Sequence, residues 1–366
     1  MLKFHDGKFK IMQISDIQDT LDVDGETLRL IGAALDREKP DLAVLTGDQI
    51  KGFARNMKTA ENAEKTIRQI CAPFEERGVP FTLVFGNHDV QGEITARQQL
   101  DWYMESPLCL ARDVPGLSGC GNHNLVIAGE DEKPALNLYL LDSHGNAGLG
   151  GYQPLEPDQV EWYRSMREAL REQNGAYLPS LLFQHIPVEA IYRLLIPHDK
   201  KQKNAIRGFA GFKDKYYTLD ESGVRPGGRH RETLCVPDSD AGLFEAACEK
   251  GELLGMFFGH DHKNSFAGRV DGVELGYCPG CGFAAYGDGV NRGVRVFEFD
   301  EADLRAYETR VITYGELFHT KRVKKLKHWM MDQAPGSTAE AISMGFKGLL
   351  ALAVLAGIII ALVALL

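Results

Sequence analysis

Residues 81–89 read Phe81-Thr82-Leu83-Val84-Phe85-Gly86-Asn87-His88-Asp89. A β-prone apolar run stops at a glycine, and three polar side chains follow at once. Such a run reads as a buried strand. The residues just past it stand at the carboxyl edge of a sheet, where α/β folds place their chemistry. Four more segments repeat the arrangement. Residues 9–14 lead to Asp16-Ile17-Gln18, 42–45 to Gly47-Asp48, 181–183 to Gln184-His185, and 256–258 to Gly259-His260-Asp261-His262. Carboxylate, imidazole and amide oxygen together suit two divalent ions such as Mn, Fe or Zn. A two-metal site of that kind points to hydrolysis at phosphorus.

Each residue type has an expected place at that edge. Asp16 is expected on the first metal, and Asp48, one strand over, on both. Asn87 offers a neutral oxygen to the second metal, which His185 and His260 complete. His262, two residues further, turns back to the first. A bridging carboxylate holds two ions about 3.5–4 Å apart and lets them activate a water. His88 stands beside the ligands and is the expected catalytic residue, protonating the leaving oxygen or stabilising the transition state. Asp89 either orients His88 or caps a following helix. A lone histidine after a strand is usually structural; five such segments, each at a strand end, carry the reading together.

Working outward, strand and helix alternate. Helices are expected near 27–37, 59–77 and 157–171, and further strands near 124–127 and 137–141. Two βαβ units imply a parallel core sheet. Strand-like runs at 265–267, 273–275 and 294–299 suggest a second, more antiparallel sheet. Residues 190–235 are rich in Lys, Arg, Gly and Tyr with weak periodicity, and read as a loop insertion at the mouth of the site. Arg207, Lys213 and Arg229 are its candidate substrate contacts, or simply solvated surface.

The chain has 366 residues, 41 Lys and Arg against 51 Asp and Glu, and a net charge of −10. There is no overall basic field for nucleic acid, so none is expected as a partner. A phosphorylated substrate remains compatible, because bound metals reverse the sign locally. Seven scattered cysteines, with one close pair at Cys278 and Cys281, fit free thiols in a reducing compartment.

The two ends differ. The N-terminus shows no apolar signal-peptide core. Residues 349–366, LLALAVLAGIIIALVALL, carry no charge, and as a helix they would span about 27 Å, close to a bilayer core of ~30 Å. Residues 321–327 form a basic run, and 333–338 read as a linker. The expected division is a catalytic domain at 1–315, a basic juxtamembrane segment and linker at 316–345, and a transmembrane helix at 346–366. Lys and Arg favour the cytoplasmic side of a span. The expectation is therefore a single-pass C-terminal membrane anchor with the catalytic domain in the cytoplasm.

The five segments resemble the calcineurin-like metallophosphoesterase superfamily, whose pattern is D-x-H, G-D, G-N-H-D/E, a single His, and G-H-x-H. The resemblance covers roughly residues 8–300. Lys39-Pro40-Asp41, Leu141-Asp142-Ser143, Gln184-His185-Ile186-Pro187, Gly259-His260-Asp261-His262-Lys263-Asn264 and Gly282-Phe283-Ala284-Ala285-Tyr286-Gly287 are similar to the branch related to purple acid phosphatases. The resemblance implies a four-layer α/β/β/α sandwich with metals at the sheet edge and hydrolysis of phosphomonoesters or phosphodiesters. The chain departs from the family at two places. Gln18 stands where the first motif has His; Gln is a weaker ligand for zinc or iron, so the first metal is expected to be loosely held. Lys51 stands where purple enzymes have Tyr, so no purple Fe(III) centre is expected. Two other readings stay open: a weakly active or inactive metal-binding scaffold at a membrane, prompted by Gln18, and a nuclease of the same fold.

Overall fold

Leu42-Ala43-Val44-Leu45-Thr46 is buried at every position, so this strand needs cover on both faces, which a parallel sheet between layers supplies. The computed structural model describes residues 2–148 and 150–333. It begins β1 (Lys8–Ile14), α1 (Gly25–Glu38), β2 (Leu42–Thr46), α2 (Ala60–Glu75), β3 (Phe81–Val84) and α3 (Ala96–Met104). Then come β4 (His123–Ala128), β5 (Pro134–Leu140), β6 (Asn146–Ala147), β7 (Gly151–Tyr152), α4 (Pro157–Asn174) and β8 (Ser180–Phe183). An excursion holds β9 (Leu195–His198), β10 (Ile206–Arg207), β11 (Tyr216–Leu219) and α5 (Leu243–Cys248). The described chain closes with β12 (Leu253–Phe258), β13 (Ala267–Val270), β14 (Val273–Tyr277), β15 (Gly293–Asp300), β16 (Glu308–Thr313), α6 (Tyr314–Leu317) and α7 (Leu326–Asp332).

Two sheets form, ordered β16-β15-β1-β2-β3 and β13-β14-β12-β8-β5-β4. β1, β2 and β3 are parallel neighbours, as are β5, β8, β12 and β14. Alternation along each strand sorts its side chains between two layers. Phe9 and Ile11 of β1 meet Leu181, Phe183 and Phe257 between the sheets. Met12 and Ile14 of the same strand pack against Leu30, Ile67 and Phe74 of α1 and α2. On the far side, Leu182, Met256 and Phe258 pack against Tyr163 of α4 and Phe244 of α5. The order is therefore α/β/β/α.

The expected second sheet differs from the observed one. Strands after residue 258 divide between both sheets: β13 and β14 extend the sheet that β4, β5 and β8 had begun, while β15 returns to lie antiparallel to β1. Local pattern marks a strand but not its partner, and β15 is drawn back because Phe297 and Phe299 complete the layer between the sheets. The 190–235 excursion is also more ordered than a loop, with β9, β10 and β11 forming an antiparallel sheet. All seven cysteines are free. Among the described residues no helix is long and apolar enough to cross a membrane. The apolar stretch expected to span one, 346–366, lies outside the described residues.

Hydrogen bonds tie the strand ends together within and between the two sheets. Gln13 Nε2 donates to Thr46 Oγ1 at 3.0 Å and to the Phe258 carbonyl at 3.1 Å. The Gly259 N–H donates to the His185 carbonyl at 3.1 Å. Five strand ends thus open onto one place.

Candidate metal centre

Asp16, Gln18, Asp48, Asn87, His185, His260 and His262 are all brought to this edge, and all are buried. Asp16, Gln18, Asp48 and His260 have positive φ, at 54°, 41°, 52° and 73°. That region is sparsely used by non-glycine residues and stores strain, which clusters at functional sites. Here it turns the chain sharply at each strand end, so that the side chain faces inward. Glycines make the room. A Cβ on Gly259 would run into Ser15, Thr46 and Asp16, and one on Gly86 into Asp48.

Two triads of ligand atoms lie within 4.8 Å of one another, Asp48 with His185 and His260, and Asp16 with Asp48 and His262. Asp48 is common to both. His185 Nε2 stands 3.3 Å from Asp48 Oδ2 and 3.2 Å from Asn87 Oδ1, and 3.3 Å from His260 Nδ1. His262 Nε2 stands 3.2 Å from Asp16 Oδ1. The His260 N–H donates to Asp16 Oδ2 at 3.2 Å, tying first strand end to last.

The donor set can be tested for a cation from its own hydrogen bonds. His185 Nδ1 donates to the Thr46 carbonyl at 2.8 Å, and His262 Nδ1 to the Tyr286 carbonyl at 2.9 Å. A carbonyl only accepts, so each ring carries a hydrogen on Nδ1, and in its neutral form, the form that can bind a cation, it turns Nε2 inward as a lone pair. Those lone pairs face carboxylate and amide oxygens. Asp16 Oδ1 and His260 Nε2 are buried with no hydrogen-bond partner among the described residues. Electron pairs facing one another in a buried site require positive charge between them. The electrostatics agree. Burial disfavours a charged His185, yet the Asp48 carboxylate outweighs it and pushes the imidazole up to about 10. Burial likewise opposes, and Asp16 outweighs, an upward shift of His262. The residues fit divalent cations, and the Thr46 and Tyr286 carbonyls already orient the two imidazoles toward them.

Gln18 also reaches the site, but by its nitrogen: Nε2 donates to Asp48 Oδ2 at 3.3 Å. Cys235 lies with His260 and Asp261 in a third group, where burial raises its thiol well above the usual range.

His88 is the exposed member, with 29% of its side chain open. Its Nε2 lies 3.9 Å from Asp48 Oδ2, and Phe53 flanks its ring at 5.1 Å. The expectations for Asp89 need correcting. Asp89 neither touches His88 nor caps a helix. It accepts from the N–H groups of Ile50 and Gly86 at 2.9 and 2.8 Å, fastening two ligand loops together. Burial, then the nearby Asp48, pushes its carboxyl up to about 8. The residue against His88 is Gln91, whose Oε1 is 2.7 Å from Nδ1; in the sequence its only signal was a spacing of three. Tyr286 was also missed as an individual residue. It stacks on His262 with ring centroids 4.1 Å apart. Arg207 donates to the Lys213 carbonyl at 2.8 Å, and Arg229 pairs with Asp288 at 2.7 Å, so both of these candidate substrate contacts are engaged within the protein.

A family model described as calcineurin-like phosphoesterase matches residues 9–264. A protein of Arabidopsis thaliana named probable inactive purple acid phosphatase 14 is 30% identical over 81% of this chain and 77% of its own. Phosphatase DCR2 of Saccharomyces cerevisiae is 26% identical over 81% of this chain and 52% of its own. Among solved structures, a dimetal phosphatase from Danio rerio shares the fold with a TM-score of 0.50 and 16% identity, over 84% of this chain and 99% of that one.

Proposed function

We propose that this chain, which belongs to the calcineurin-like phosphoesterase family, hydrolyses a phosphomonoester or phosphodiester at a site for two divalent cations. One observation carries the reading: His185 and His262 are locked by carbonyls so that both turn lone pairs toward carboxylates sharing one buried space. Asp16, Asp48 and His262 would hold the first cation, with Gln18 beside it. Asp48, Asn87, His185 and His260 would hold the second. Such cations, when bound, supply Lewis acidity and an activated water.

The chain's own residues do the rest. Asp48 fixes the loop that carries His88, because the His88 N–H donates to Asp48 Oδ1 at 2.7 Å. With Nδ1–H donated to Gln91 Oε1, His88 acts as an imidazolium: it presents Nε2–H to the phosphoryl group, gives that proton to the leaving oxygen and is left as the neutral ring with its hydrogen on Nδ1. Phe53 shields that ring from one side.

A second reading, a weakly active or inactive scaffold, is favoured by the Gln18 amide nitrogen resting on Asp48 Oδ2, where it competes with the first cation. A hydrolysis panel on the metal-reconstituted full chain separates the two. It compares aryl phosphomonoesters, aryl phosphodiesters, cyclic nucleotides and phospholipids. Two bound metals with no turnover on any of them would favour the scaffold. Residues 1–315 would be the catalytic domain, 316–345 a basic juxtamembrane segment, and 346–366 a membrane anchor that keeps the site on the cytoplasmic side. Fractionation with protease protection tests this. An N-terminal tag cut by protease added outside intact cells overturns the orientation.

A further inference from the structure

The segment after β16 packs back onto the catalytic domain beside the metal centre. His328 of α7 is buried, with Nε2 3.0 Å from Asp24 Oδ2 and its ring 4.9 Å from Phe283. Asp332 pairs with the buried Arg292 at 2.6 Å. These contacts fix the basic run that precedes α7 as one wall of a cavity of about 800 Å³. Arg231 and Lys263 also line it, together with Lys321, Arg322 and Lys324 of the run. Five cationic side chains from three separate stretches of chain thus converge on one concavity.

No ion pair among the described residues neutralises them, although Asp332 and Glu232 lie near enough to act on Lys263. The acidic residues of the lining are already committed, Asp288 to Arg229 and Asp332 to Arg292. Lys325 leans to Glu26 at 3.8 Å. Among the described residues, none of the five cations makes an ion pair. Like charges held together in a concave wall repel one another and focus a positive potential, which a bound anion relieves. A cavity of this volume suits a small ligand. It also adjoins the proposed site. Lys263 follows His262 directly, its Nζ lies 5.2 Å from the Tyr286 ring centroid, and that ring stacks on His262.

We infer that the cavity binds a phosphate-dense anion: a second phosphate group on the same substrate whose scissile phosphate lies at His88. The inference rests on the phosphoesterase reading and narrows it to substrates with at least two phosphate groups. Arg231 and Arg322 supply forked donors for phosphate oxygens, and the lysines supply point charge.

The test is calorimetric titration of inorganic triphosphate into the full chain after chelator treatment, so that binding is read without the metals. Arg322→Glu with Lys324→Glu reverses two exposed charges of the cavity. Lys133→Glu with Lys250→Glu makes the same change in net charge elsewhere. The parent chain and the control should bind one triphosphate alike, and the cavity variant should bind it about tenfold or more weakly, with affinity falling as salt rises. Absence of binding to the parent chain overturns the inference. So does equal binding by the cavity variant, or an equal loss in the control. Comparison with a water-soluble, short-chain phosphatidylinositol bisphosphate identifies the source: tighter binding to it assigns a lipid headgroup, and tighter binding to triphosphate a free anion. Aryl phosphate turnover of the metal-loaded chain is measured in parallel. Turnover without triphosphate binding sinks the cavity alone, and binding without turnover sinks the phosphoesterase reading while leaving the cavity an anion site.

Discussion

His123 opens β4 and is buried. Its Nδ1 donates to the Gly121 carbonyl at 2.8 Å and its Nε2 faces Thr82 Oγ1 at 2.7 Å. Burial pushes its imidazole down to about 4. The unfolded chain would protonate this histidine near pH 6.5, well before the folded one does. Between those values the unfolded state binds more protons, so stability falls as pH falls. The contribution is complete above about pH 6.5 and is lost progressively toward pH 4; going from about pH 7.5 to about pH 5 removes about 2 kcal/mol. His123→Gln keeps hydrogen-bonding capacity and removes the titration. Urea unfolding of both proteins at the two pH values measures the drop, and the variant should lose about 2 kcal/mol less than the parent. His230, also pushed down to about 4 by burial, stays in both proteins and cancels from the comparison. Equal drops in parent and variant would refute the reasoning.

His88→Ala should keep its metal content by elemental analysis while aryl phosphate turnover falls about 10²–10⁴-fold. Loss of metal instead would make His88 a ligand. Gln18→His removes the amide nitrogen from Asp48 and adds imidazole, so the first metal should survive dialysis better than in the parent. Unchanged retention would show that Gln18 does not govern that position. Gly259→Ala drives a methyl group into Ser15, Thr46 and Asp16; thermal unfolding should show a cost of about 1–3 kcal/mol, and a neutral result would mean that the loop has slack.

The strand ends were legible because each combines an apolar run with a polar residue just past it, three of them across a glycine, all of which are local features. The helices were legible too: the run expected near 157–171 is α4, with Pro157 at its start and Gly175 closing it. What the sequence withheld was non-local. β15 pairs with β1 across almost the whole chain, a choice made by the apolar layer between the sheets and not by any pattern within residues 293–300. Asp89 reads locally as a partner for its neighbour His88, yet its carboxylate is taken by Ile50 on another loop. The packing of α7 depends on Asp24 and Arg292 being left inside the domain with unspent charge, and neither residue advertises that need along the chain.

The hydrogen bond from His260 to Asp16 spans 244 residues of sequence, and this has a consequence for the order in which the protein comes into being. Closing so long a loop comes late in folding, after local helices and neighbouring strands have formed. During synthesis, Asp16, Asp48 and Asn87 emerge long before the histidines that share their space. A chain halted before His185 holds an acidic half-site with none of the three ligand imidazoles opposite it, and one halted before His260 has His185 alone. Any metal captured that early would meet a different set of ligands from the finished one, so the final ions must enter, or be exchanged, once β12 has docked. If the proposed cations bind, strand pairing and metal loading would be one event, and a defect in either would look like a defect in the other.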